Sequence, residues 1–221
     1  PDWNLGLNAR SCEWVENRHW LYETRLPDAW FARGAGAAYR LRCLGLDYAG
    51  VVRLNGQAVG TFANSLMPHL FELGPALRPA NNILQIVFEC PPRWLGQFGY
   101  TSRMREPKPR YNYFWDWTSR LVQAGIWDAI TLEVAESATL AGVWVQSDYN
   151  PVTGRGALRV SGSCHGDAVA GRVRVSLEDA GGAVVRQEEV AAAAFRDGAL
   201  AWEGLAVAPW WPNGQGAQPL Y

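Results

Sequence analysis

One short run of the chain gathers side chains suited to recognition chemistry. Tyr111-Asn112-Tyr113-Phe114-Trp115-Asp116-Trp117 sets a single carboxylate between two indoles, with further aromatic rings upstream. Read as a strand, neighbours alternate faces, so Trp115 and Trp117 project to one side and Asp116 to the other. Two readings are open. In one, the indoles are core and Asp116 is an edge carboxylate in water. In the other, the run is a saccharide site. The C–H faces of a pyranose pack on aromatic rings, while an ionised carboxylate accepts hydrogen bonds from two neighbouring hydroxyls. Each bond to a charged acceptor contributes roughly 1.5–3 kcal/mol, and a site built to receive hydroxyls rejects sugars that lack them.

Other reactive residues form no comparable group. Cys12, Cys43, Cys90 and Cys164 are far apart, with no C-x-x-C pair and no histidine at metal-ligand spacing, so neither a metal nor a cofactor is expected. Cys43 and Cys90 fall in phase with apolar strand neighbours and read as reduced core thiols. His19, His69 and His165 are isolated from one another. Arg103, Arg105, Lys108 and Arg110 form a basic loop cluster suited to an anion, but prolines and Glu106 interrupt it. Twenty basic residues against 21 acidic ones leave a net charge of -1, which disfavours nucleic acid. No apolar run approaches the roughly 18 residues of a membrane-spanning helix, and the 12 tryptophans are an unusual number for 221 residues. Trp14, Trp20, Trp94, Trp127 and Trp144 read as core or interdomain packing, and Trp210-Trp211 as a packed turn.

The elements that must position Asp116 are strands. With 48% apolar and 19% charged residues among 221, the chain has ample material for a core. Ala38 to Leu46 alternates Tyr39, Leu41 and Cys43 against Arg40, Arg42 and Leu44, the pattern of a strand with one wet face. Trp20 to Leu26 stops at Pro27, and Val51 to Leu54 meets Asn55-Gly56, a strong two-residue hairpin signal. Ala58 to Phe62, Leu70 to Leu73 and Ile83 to Glu89 follow. Residues 91–110 read as a long loop, after which pairing resumes at Tyr111 to Trp117 and Ile126 to Val134. Beyond residue 136 the texture shifts to short, small-residue strands at Leu140 to Gln146, Gly156 to Ser163, Arg172 to Glu178, Ala183 to Val190 and Leu200 to Val207. The Ala191 to Ala194 run suits a helix or a strand edge equally. The chain thus reads as all-β, with a sandwich of eight or so strands over 1–136 and a smaller immunoglobulin-like sandwich over 137–221.

Three segments carry a family resemblance. Gly45-Leu46-Asp47-Tyr48-Ala49-Gly50-Val51-Val52-Arg53-Leu54-Asn55-Gly56-Gln57-Ala58-Val59-Gly60 resembles the N-terminal sugar-binding sandwich of glycoside hydrolase family 2. Trp115-Asp116-Trp117 with Gly125-Ile126-Trp127, and the closing Pro209-Trp210-Trp211-Pro212-Asn213-Gly214, resemble its β-mannosidase branch, which also includes exo-β-glucosaminidases. Phe114, Thr118-Ser119, Asp128 and Pro107 depart from that pattern. The resemblance implies a jelly-roll, galactose-binding-like sandwich, a partial immunoglobulin-like module, and a catalytic (β/α)8 barrel outside this sequence. It also implies that Asp116 holds hydroxyls of the terminal sugar of a β-mannoside or related carbohydrate, with Trp115 and Trp117 bracing it. No Asn-Glu dipeptide occurs here to supply that family's acid/base glutamate, and a barrel alone takes roughly 250 residues. Asp2 to Trp14 resembles a region already inside the first domain and Leu220-Tyr221 the beginning of a strand, so an opening strand and a continuation are expected.

Three functions are therefore weighed. The chain is the recognition part of an exo-acting retaining hydrolase, a stand-alone carbohydrate-binding module, or an assembly sandwich without a sugar site. The last would leave Asp116 in a salt bridge or in bulk water away from any concave mouth.

Overall fold

The structure, a computed structural model, describes residues 2–32, 37–93, 95, 104–113, 115–135, 138–166, 171–195 and 200–221. The chain is all-β and divides into two compact units, Pro1–Glu136 and Ser137–Tyr221. Among the described residues the helical segments are short 3-10 turns, as expected where no 3.6-residue stripe exists.

The first unit holds β1 (Trp20–Arg25), β2 (Ala38–Cys43), β3 (Leu46–Asp47), β4 (Ala49–Leu54), β5 (Gln57–Ala63), β6 (His69–Glu72), β7 (Ile83–Phe88), β8 (Gly125–Ile126) and β9 (Ile130–Ala135). One antiparallel sheet runs β1-β7-β4-β5, a second β6-β2-β9, and β3 pairs with β8. Alternation does the work that the sequence assigned to it. Tyr39, Leu41 and Cys43 of β2, Val52 and Leu54 of β4, and Leu84, Ile86 and Phe88 of β7 are buried in one continuous core. Arg40 and Arg42 on the wet face of β2 bond Glu72 at 2.6 Å and Glu133 at 3.3 Å on the flanking strands. The turn between β4 and β5 has positive φ at both Asn55 (55°) and Gly56 (83°), as a type I′ turn requires. Gly50 is held close to the next strand: a Cβ there would lie 1.9 Å from the carbonyl oxygen of Val87.

The second unit holds β10 (Ala138–Asn150), β11 (Arg155–Gly166), β12 (Arg172–Glu178), β13 (Val184–Ala191) and β14 (Leu200–Leu205). They form a β10-β11-β14 sheet and a β12-β13 pair around Val160, Val173, Phe195, Leu200, Trp202 and Leu205. Trp202 is the centre of that core, its indole N–H donating to Glu188 at 2.7 Å. β10 is nearly twice as long as its apolar run suggests, because a bulge between Ala141 and Trp144, with Gly142 at φ 58°, lets pairing continue past the irregularity. Ala191 ends β13 and Ala192–Ala194 make a 3-10 turn.

Three tryptophans read as core or interdomain packing are more than half exposed within this chain: Trp14, Trp127 and Trp144. Large aromatic rings are seldom fully enclosed, and each lies on a surface turn or strand face. Trp20 is half-buried, and Trp94 falls outside the described residues. Trp210 and Trp211 are about half exposed. The turn at 213–216 returns the chain to bond Trp211 N–H to the Ala217 carbonyl at 3.0 Å.

Candidate functional site

The run that carries Asp116 is not a strand. The described residues of 107–123 fold back on themselves as an irregular hairpin with nested contacts. At its base Lys108 Nζ donates to the Gln123 carbonyl at 2.8 Å, and halfway up Leu121 N–H donates to the Asn112 carbonyl at 2.9 Å. At the tip Trp115 and Thr118 form an isolated antiparallel bridge. Asp116 and Trp117 are therefore the two residues of the turn. The alternation rule does not apply there, although the two indoles still meet, edge to face, with centroids 6.2 Å apart. Aromatic β-propensity made this segment look like a strand, while the polar cross-links that close it leave no periodic signal.

Exposure divides the three predicted residues. Trp115 is half-buried, Asp116 is exposed, and Trp117 is 81% exposed. Among the described residues Asp116 makes no ion pair or hydrogen bond, so both carboxylate oxygens are free to accept from a ligand. Neither of two grooves found within the units reaches it. One, of about 650 Å³, lies in the first unit beside Tyr22, Trp30, Ile86 and Leu132, and the other, of about 1000 Å³, lies within the second unit. Among the described residues the hairpin tip stands as an open wall outside both grooves.

What holds the tip is a buried polar cluster that sequence reading missed. The sequence reading groups Lys108 with Arg103, Arg105 and Arg110 in a basic loop cluster suited to an anion. Instead its side chain is fully buried, its ammonium 2.5 Å from Asp47 Oδ1 on β3. Arg103 lies outside the described residues. Ser65 Oγ–H also donates to Asp47 Oδ1, at 2.9 Å, and the Ser65 N–H donates to the Pro107 carbonyl at 3.0 Å. Burial pulls the Lys108 pKa below its ordinary value, and the hydrogen bond and charge of Asp47 oppose that shift. One signal was available: Lys108 is the lone lysine among 19 arginines. A compact three-donor ammonium does what a planar guanidinium cannot in a closed space.

Other contacts complete the support. Tyr113 and Val122, from opposite limbs, are buried with Leu95, and Met104 packs against them. Arg120 makes two bonds to Glu16, at 3.0 and 2.8 Å, with its guanidinium 5.1 Å from the Tyr113 ring centre. The Tyr113 hydroxyl, without a hydrogen-bond partner among the described residues, is raised in pKa by burial first, then by Asp47 and Glu16. Two segments of the resemblance meet beside this cluster. Asp47 pairs with Gly125 in the β3–β8 ladder. The Trp127 indole covers Gly45, where a Cβ would lie 2.4 Å from the ring, and donates to the Ser65 carbonyl at 3.1 Å. The strand expected at Ile126 to Val134 breaks at this indole into β8 and β9.

Among the described residues no group of three or more His, Cys, Asp or Glu could hold a metal, and no helix is long and apolar enough to cross a membrane. All four cysteines are free thiols. Cys43 is buried and Cys90 partly so. Burial pushes the Cys43 thiol from 9.0 up to about 11.

Residues 1–128 match the family described as glycosyl hydrolase 2 galactose-binding domain-like, well over half of the chain. The chain belongs to that family. Within it the chain is β-mannosidase-like: it is 29% identical over 238 residues to β-mannosidase B of Emericella nidulans and 28% identical over 236 residues to β-mannosidase B of Aspergillus terreus. Each alignment covers 98% of this chain and 27% of the relative, so the chain spans about a quarter of those relatives' length. The crystal structure of the β-D-mannosidase of Dictyoglomus thermophilum shares the fold with a TM-score of 0.74 at 21% identity, over 98% of this chain and 28% of that one. A Parabacteroides merdae β-glucuronidase shares it more loosely, with a TM-score of 0.64 at 14% identity, over 86% of this chain and 23% of that one.

Proposed function

We propose that this chain is the substrate-recognition and scaffold part of an exo-acting, retaining β-mannosidase-like hydrolase. Its first unit is the sugar-binding jelly roll and its second an immunoglobulin-like module. Asp116 accepts hydrogen bonds from two hydroxyls of the terminal sugar, and Trp115 with Trp117 shapes the wall around it. The observation that carries the reading is the hairpin tip: an unpaired carboxylate held out between two indoles by a stiff, internally bonded base.

The chemistry would lie on other polypeptide. Retaining glycosidases use two carboxyl groups about 5 Å apart, one as nucleophile and one as acid/base. A catalytic barrel would account for part of the length by which the relatives exceed this chain, and its mouth would supply the remaining walls of the pocket. An exo-β-glucosaminidase parent uses the same architecture, since the residues that read the sugar's 2-position would belong to the barrel.

Taken by itself, Asp116 stands in solvent outside both grooves, as an assembly sandwich would have it. Membership of the family, and relatives about four times as long, favour the view that the pocket is completed by a second body. The same exposure counts against a stand-alone module, whose binding surface would be complete. Two measurements test the reading. The 221-residue chain alone should hydrolyse no aryl β-mannoside. In the enzyme that carries the barrel, Asp116→Ala should lower kcat/KM by roughly 2–5 kcal/mol of transition-state stabilisation. Wild-type kcat/KM would overturn the role of Asp116.

A further inference from the structure

The hairpin tip can serve recognition only if it is held at a fixed place, because misplacing a substrate-positioning group by about 1 Å can cost about a hundredfold in rate. Its buried polar connection to the first unit lies at its base. There Lys108 bonds two groups that would otherwise move independently, Asp47 on β3 and the returning limb at the Gln123 carbonyl, and Asp47 in turn accepts from the hydroxyl of Ser65. Ser65 in turn bonds the outgoing limb at Pro107. A hydrophobic side chain of similar volume would fill the same space without fixing direction. Buried ion pairs are poor sources of stability, and their best-attested use is to fix one arrangement among several.

We propose that Lys108, paired with Asp47 and Ser65, is a positioning residue that sets where the Asp116–Trp117 tip stands against the sandwich. The inference rests on the sugar reading for its purpose but not for its geometry. The pin acts at the base of a lever. Above it the limbs are joined at Asn112–Leu121 and Trp115–Thr118, and Tyr113 and Val122 from the two limbs share a small core with Leu95 and Met104, so a shift at the base is passed along the hairpin to its tip. The Arg120–Glu16 pair steadies one side of that body and leaves the base to Lys108.

Lys108→Met alone strands a buried carboxylate and risks misfolding, so the informative variant is the double Asp47→Asn/Lys108→Met, which removes both charges and keeps the volumes. In the 221-residue chain, hydrogen exchange should accelerate tenfold or more at the amides of Ser65 and Leu121, while those of β4 and β7 stay within twofold of wild type. Unchanged exchange in the hairpin overturns the inference and leaves the sugar reading standing. In the barrel-bearing enzyme the double variant should lower kcat/KM on an aryl β-mannoside at least tenfold. Combined with Asp116→Ala it should lose no more than Asp116→Ala alone, because the pin acts through that carboxylate. Additive losses overturn the positioning role. Full activity of Asp116→Ala overturns the sugar reading and with it this purpose for the pin, even where exchange has risen.

Discussion

In the sandwich of the first unit, Leu41, Val52, Leu54, Ile86 and Phe88 are each 2% exposed or less, and the buried members of one strand face those of the next. In the hairpin, Tyr113 and Val122 are the apolar side chains buried among the described residues, and the structure is completed by Lys108, Asp47, Ser65, Arg120 and Glu16. The first region is held by non-directional burial, which tolerates small errors of placement. The second is held by bonds that work at one distance and angle. A fold that must only persist can use the former, while a group that must meet a ligand needs the latter.

The contrast can be broken at its strongest point first. Phe88 lies fully inside the sandwich, edge-on to Phe62 at 5.2 Å and Tyr22 at 5.4 Å. Phe88→Ala should destabilise the first unit by about 3–5 kcal/mol, read as a lowered urea midpoint, and a loss under 1 kcal/mol would refute that core.

The next effect is a pH dependence. The folded Cys43 thiol keeps its proton to about pH 11, whereas the unfolded chain begins to lose it near 9.0. Between these values the folded state binds more protons, so stability must fall as pH rises, by about 2–3 kcal/mol over the window. Urea midpoints from pH 7 to 11 should show this slope in wild type. Cys43→Ala should lose that component, and parallel profiles for the two proteins would contradict it. The smallest effect belongs to the tip. Asp116 bonds nothing in the described structure, so Asp116→Ala should change stability by less than about 0.5 kcal/mol, whereas the proposed sugar contact calls for a large kinetic cost in a barrel-bearing enzyme. A destabilisation of several kcal/mol would make Asp116 a structural residue.

The same contrast explains what could be read without a structure. β2, β4 and β7 were legible because burial on one sheet face imposes a period of two, and Asn55-Gly56 because few residue pairs accept two positive φ angles. The Trp-Asp-Trp run was legible as a chemical group but not as a shape. Its hairpin depends on contacts between Lys108 and Asp47, 61 positions apart, and between Arg120 and Glu16, 104 apart. No local pattern announces such contacts. Trp127 was misread for a related reason: its place over Gly45 is fixed by a hydrogen bond to Ser65, and half of the ring stays in water.

The central claim is that the carboxylate at the hairpin tip receives a sugar. A crystal structure of the barrel-bearing enzyme with a mannose-derived inhibitor tests it most directly. The account predicts both oxygens of Asp116 within about 3 Å of ligand hydroxyls, with Lys108 still on Asp47. A ligand bound in the barrel with Asp116 turned to solvent would contradict it.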